Sequence, residues 1–252
     1  MIDKGYINKT AAQSILGRWE ARLKLPGLML LIFTFAFIRD LRLLPFLVLA
    51  AALTYSFSGL SLKHLIKRMR MPGFFLVAIA LILPFWSGQT ILWQLGPLAL
   101  RLEGLLALLV ITVKFFSILI LVIALFGTTT LPQMAIALRA IRIPWLITDL
   151  LLFTYRYIYQ LLSDLNRMRI AARLRGFRAN SFNAIKPLAF ITGTMLVSSH
   201  NQSERVFQAM TLRGYGNTKQ PLPIFSPIPA DFILLAVYIL LSALLILFQF
   251  II

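Results

Sequence analysis

"IPWLITDLLLFTYRYIYQLLSDLNRMRIAARLRGF", residues 143–177, settles what kind of helices this chain is built from. Pro144 stands at a favourable first helical position and no proline or glycine follows until Gly176. The stretch therefore predicts one continuous helix, about 48 Å long at 1.5 Å per residue. That is long enough to cross a bilayer, but Asp149 and Arg156 break its apolar half, and charged residues recur through the rest. It reads as a helix that starts against a membrane core and finishes in water. Residues 187–214 repeat the plan, interrupted only by Gly193, apolar first and polar from Ser198 onward.

What the apolar ends lean on is visible in the remaining sequence. Of 252 residues 60% are hydrophobic and 13% charged, and the mean hydropathy is +0.86, outside the range of an ordinary globular domain. A span needs about 20 apolar residues to cross about 30 Å of hydrocarbon. Residues 43–62, 73–93 and 232–252 meet that without a charge, and 104–126 meets it with one, Lys114. Residues 25–38 are short by this test and are followed by Arg39 and Arg42, which predicts a short span with snorkelling arginines. The expected fold is an all-α integral membrane protein with about five transmembrane helices and two long helices facing the cytoplasm.

The positive-inside rule orients it. The first 24 residues carry Lys4, Lys9, Arg18, Arg22 and Lys24 and lack the long apolar core of a signal peptide. They are placed in the cytoplasm. The loops then expected outside offset Arg39, Arg42 and Arg101 with Asp40 and Glu103, whereas the expected inner loop holds Lys63, Lys67, Arg68 and Arg70 with no acid. Residues 127–226 hold twelve of the twenty-five Lys and Arg. The organisation that follows is a cytoplasmic N-terminal segment 1–24, a four-helix membrane bundle 25–126, a cytoplasmic-facing segment 127–226 and a final span in 227–252. The net charge of +17 then suits an inner-membrane surface of acidic lipid or an acidic protein partner rather than nucleic acid.

Both long helices end on the same phrase. "AARLRGF" at 171–177 and "AMTLRGY" at 209–215 align at a shift of 38, pairing Ala171 with Ala209, Leu174 with Leu212, Arg175 with Arg213, Gly176 with Gly214 and Phe177 with Tyr215. An ordinary C-cap explains Arg followed by Gly, since Gly accepts the left-handed conformation and Arg suits the negative end of the helix dipole. It does not explain the small Ala one turn earlier or the aromatic that follows in both. A small residue admits a close surface, a guanidinium grips a carboxylate in two places, and an aromatic fills a pocket. Two equal plugs imply two equal sockets.

Here the chain resembles the transmembrane T component of energy-coupling factor transporters, in its CbiQ type associated with cobalt and nickel uptake. The resemblance is carried by "ARLRGF" at 172–177, "AMTLRGY" at 209–215 and "TTTLPQMAIALRAIRIPWLITDLLLFTYRYIYQLL" at 128–162. It implies that the two long helices are coupling helices, each tip docking into one of two ATP-binding-cassette ATPase subunits and passing their motion to a substrate-capturing membrane subunit. By the same resemblance Arg175 and Arg213 are the principal contacts, and Ala171, Ala172, Gly176, Ala209 and Gly214 permit close approach. Phe177 and Tyr215 follow them. Arg173 stands where the second tip has Thr211, so the sockets need not be used equally.

No G-x-x-x-x-G-K-[ST] occurs, so ATP has to be handled by a partner. There is no cysteine, and His64 and His200 sit in no metal-ligand spacing, so neither a cofactor nor a metal site is expected. His200 and Glu204, four apart, read as a helix-surface pair. Lys114 lies within an apolar run of 23 residues, where ionisable residues are functional candidates. It contacts a neighbouring subunit or headgroup, or pairs with a buried acid. Asp149 and Arg156 lie two turns apart on one face and pair indirectly or with different partners. "YRYIY" at 155–159 reads as an interfacial aromatic belt, and 63–70 as a lipid-facing basic loop. The competing function is a self-sufficient carrier or channel, whose marks would be acids lining a path within the spans. An intramembrane enzyme would need paired acids, Ser/Lys or His/Glu at one depth, and no such constellation stands out.

Overall fold

The structure, a computed structural model, describes residues 13–86, 91–95, 98–177, 185–216 and 227–251. The start of the N-terminal segment and the stretches 178–184 and 217–226 lie outside the described residues. In chain order the elements are α1 (Ile15–Arg18), α2 (Ala21–Phe37), a 3-10 turn (Leu41–Leu43), α3 (Leu44–Phe57), α4 (Leu62–Trp86), β1 (Ile91–Leu95), β2 (Leu98–Arg101), α5 (Leu102–Thr128), α6 (Leu131–Ala140), α7 (Trp145–Leu174), α8 (Ile185–Leu212) and α9 (Pro229–Ile251). They divide into two units, Met1–Arg142 with Ser226–Ile252, and Ile143–Phe225. Within residues 127–226, α6 packs on α2 in the first unit, and α7 and α8 belong to the second.

In the first unit α2 is the hub, touching α5, α6 and α9. Leu28, Leu31 and Phe35 recur at helical spacing along its buried face and are fully enclosed. They meet Leu121 and Ala124 of α5 within the same core. On the same helix Phe33 and Phe37 are exposed, which is the inverse of a water-soluble helix and suits a lipid-facing side. Gly27 admits α9 closely, since a Cβ there would stand 3.2 Å from both Leu235 and Trp19 side chains. Trp19 stacks on Tyr238 at 5.3 Å and its indole N–H donates to the Asp231 carbonyl at 3.2 Å.

The helices α5 and α9 are long and apolar enough to cross a membrane, and only 17% and 22% of their most apolar stretches are buried by the protein itself. That separates them from the core helices of a soluble domain and, with the exposed aromatics of α2, supports a membrane location. Three expectations are corrected. Residues 43–62 are not one helix, because α3 has 14 residues and stops where the Ser58 hydroxyl turns back on the Tyr55 carbonyl and Gly59 takes φ 63°. The basic stretch 63–70 is not a loop; Leu65, Ile66 and Met69 intersperse its charges with no helix breaker, and it forms the start of α4. The helix expected across 73–93 stops short of residue 91, where β1 pairs antiparallel with β2 in an otherwise helical set of described elements. Ile91 and Trp93 favour strands, and Gly96-Pro97 is a turn signal that hydropathy alone conceals.

Two lysines tie α2 to α5 in reciprocal fashion. Lys24, near the start of α2 and only 1% exposed, donates to the Thr128 carbonyl (3.3 Å), the Thr128 hydroxyl (3.4 Å) and the Thr129 hydroxyl (3.0 Å) at the end of α5. Lys114, midway along α5, donates to the Ala36 carbonyl at the end of α2, at 2.7 Å. Each ammonium meets the carbonyl end of the other helix, where backbone acceptors have lost their partners and the dipole is negative. Lys24, expected in a polar cytoplasmic segment, is instead interior.

Lys24→Met is expected to lower the thermal stability of the detergent-solubilised chain by about 2 kcal/mol, because it leaves buried acceptors without a donor. Unfolding followed by intrinsic fluorescence measures this, with Thr129→Val as the smaller loss of one acceptor.

Candidate functional site: the paired helix ends

The second unit is built from α7 and α8. Residues lining the groove between them show that they run antiparallel. Leu146 and Leu150 face Met210 and Tyr215, and Leu165 and Arg169 face Leu188 and Ile191. Pro144 caps the start of α7, which then continues for 30 residues as its lack of breakers requires. The predicted boundaries 144–176 and 187–214 match both helices to within about two residues at each end.

The two C-termini are closed by the same hydrogen bonds. In the first, the Phe177 N–H donates to the Ala172 carbonyl (3.1 Å) and the Gly176 N–H to the Arg173 carbonyl (3.0 Å). In the second, Tyr215 N–H donates to Met210 (3.0 Å) and Gly214 N–H to Thr211 (2.9 Å). Gly176 and Gly214 sit at φ 84° and 81°. These are Schellman caps, with glycine at the left-handed position that an L side chain enters only with strain. Nothing stands within 4 Å of a Cβ built on either glycine, so backbone conformation and not crowding selects glycine here.

The caps project matched side chains. Arg175 and Arg213 are exposed, as are Ala171, Arg173 and Ala209, with Ala172 half-buried. Sequence reasoning passed over the residue before each arginine. Leu174 is 84% exposed and Leu212 90%, an unfavourable place for leucine in water at both ends alike. The signal was present in the alignment of the two phrases, but leucine near a helix end is read by default as core.

The aromatic that follows each cap is not used alike. Tyr215 lies in the groove, its hydroxyl donating to an Asp149 carboxylate oxygen at 3.1 Å. Its ring meets Trp145 edge-on at 5.7 Å and Phe153 at 6.4 Å. Asp149 is 6% exposed, and its partner 66 residues away in sequence was not among the groups expected for it. Arg156 lies over the Tyr157 ring at 5.9 Å, and Tyr155 and Tyr159 stack edge to face at 5.4 Å. Lys114 donates to the Ala36 backbone carbonyl at 2.7 Å. His200 lies 3.5 Å from Glu204 on the surface of α8, the pair read from their spacing. Among the described residues no cluster of His, Asp and Glu has the makings of a metal site.

Apolar helices that leave their sides to lipid, joined to an antiparallel pair with two identically capped basic ends, define a helical membrane protein with a duplicated polar face. Comparison with known proteins places it further. The chain belongs to the CbiQ family of cobalt transport proteins, which matches residues 12–223. It is 28% identical over 182 residues to the energy-coupling factor transporter transmembrane protein EcfT 1 of Listeria monocytogenes serotype 1/2a (strain 08-5578), covering 67% of this chain and 68% of that protein. The expected membership of the CbiQ type is therefore shown by a family match that spans both tips.

Gly176→Ala with Gly214→Ala is expected to cost about 1 kcal/mol at each cap and to fray the last turns of α7 and α8 without disturbing the first unit. Amide hydrogen exchange reads this directly, as faster exchange at residues 174–177 and 212–215 only.

Proposed function

We propose that this chain is the coupling subunit of an ATP-driven importer. Two ATP-binding-cassette ATPase subunits each seat one tip, and α7 and α8 pass the motion of ATP binding and hydrolysis to a substrate-capturing membrane subunit. The cargo is cobalt or nickel ions, as the family description and the resemblance suggest. The chain crosses the cell membrane several times with its N-terminus in the cytoplasm, and the hairpin faces the ATPases there. Catalysis belongs to the partners.

The observation that carries this reading is the duplication of one cap, with an exposed Leu-Arg pair on each copy. A single Schellman cap is common, but two that present the same apolar and cationic groups fit two like sockets. Each socket then combines an apolar recess for Leu174 or Leu212 with a carboxylate for Arg175 or Arg213, a pairing that is strong when bidentate and shielded from water. Ala171, Ala172, Arg173, Gly176 and Phe177 border the first contact, and Ala209, Gly214 and Tyr215 the second. Lys114, Asp149 and Arg156 serve the internal geometry.

Charge reversal at both tips, Arg175→Glu with Arg213→Glu, is expected to release the ATPase subunits while the chain still purifies as a single folded species. Affinity purification in mild detergent with mass spectrometry of the co-purifying proteins checks it. Unchanged recovery of ATPases would overturn docking at the tips, and wild-type chain recovered alone would favour a self-sufficient carrier or channel.

A further inference from the structure

The two caps are alike in backbone and unlike in what holds them. At the end of α8, Gly214 turns the chain off the helix axis and Tyr215 reaches back to the first turns of α7, where its hydroxyl meets buried Asp149. Phe177 at the end of α7 has the same ring and no hydroxyl. Among the described residues no side-chain hydrogen bond or ring contact fastens Phe177 or Arg175, whose end of the hairpin is the opposite one. We infer that Tyr215 is the positioning residue of the second tip, latching the end of α8 to the start of α7 so that Arg213 and Leu212 are presented in one fixed orientation, whereas among the described residues the first tip is set by its cap.

The chemistry is specific. A phenol donating to a carboxylate forms a charge-assisted bond, stronger than a neutral one. Each donor that reaches a buried carboxylate lowers its energy, so Asp149 favours the state in which Tyr215 is in place. Trp145 and Phe153 hold the ring edge-on and tilted, but those contacts survive the loss of the oxygen. The hydroxyl that Phe177 lacks therefore gives the second end a bond that the first cannot make. The consequence is that the two ATPase subunits meet unequal tips, one prealigned and one adaptable. The latch is a property of the chain itself, while its effect on docking rests on the function proposed above.

The chain has no cysteine, so spin labels can be placed without background. One pair, Ile147→Cys with Gln208→Cys, reports on the latched end, and another, Ile170→Cys with Phe190→Cys, on the opposite end; all four positions are exposed. Distances are measured by double electron–electron resonance on the full chain in lipid nanodiscs, and ATPase subunits retained per chain are counted in the co-expressed complex. Tyr215→Phe is expected to shift the balance of latched to unlatched forms by about ten-fold or more. It should broaden the first distance only and lower retention toward one ATPase per chain. Asp149→Asn with Tyr215→Phe should broaden it no further than the more severe single change, since both remove one bond. An unchanged first distance, or broadening at both ends, overturns the latch, and broadening with two ATPases retained overturns its role in positioning. Arg175→Glu with Arg213→Glu in the same preparation tests docking separately: if that variant keeps its ATPases the proposed function fails, while the distances still decide the latch.

Discussion

The membrane unit depends on how α2 and α5 end. A helix that stops within or beside hydrocarbon leaves backbone carbonyls that water cannot reach, and each needs a donor from the protein. Here the donors are ammonium groups carried by the opposing helix, Lys24 for the end of α5 and Lys114 for the end of α2. Because the helices are antiparallel, the two ties act at opposite ends of one contact and fix its register. A one-turn slip would move both lysines off their acceptors together. This also accounts for α2 being only 17 residues long: Lys114 supplies a terminus where the bilayer would not.

α9 closes on α2 through Gly27, and its Tyr238 reaches the Thr54 hydroxyl of α3 at 3.2 Å. Asp231 caps its own helix by accepting the Ile228 N–H at 3.0 Å. The second unit is organised by other means. Its helices share a groove, and the backbone of each cap is closed by bonds within its own helix, so the turn itself is local to the sequence that encodes it. That independence allows the same cap to occur twice in one chain.

The elements most legible in the sequence were those with clear punctuation. Pro144 and Gly176 bracket α7, Pro187 in the first turn and Gly214 just past the end mark α8, and long apolar runs mark α5 and α9. The caps themselves followed from Arg-Gly at both ends. Less legible was anything whose partner is a backbone atom or a distant residue. Lys24 sits in a charged stretch and looks solvent-bound, because sequence does not display the Thr128 carbonyl that receives it. Asp149 and Tyr215 are 66 residues apart, and each had a plausible local reading that hid the other. The hairpin at 91–101 was lost because an apolar run of strand length inside a longer apolar run has no period to separate it from a helix.

The contrast between α7 and α8 has a mechanical side. α7 has neither proline nor glycine along its 30 residues, so it transmits a tilt as a stiff rod: a 10° rotation at one end of a rod of about 45 Å displaces the other by about 8 Å. α8 holds Gly193 with open space around its missing Cβ, a point where bending meets less resistance. The hairpin thus pairs a lever with a flexure.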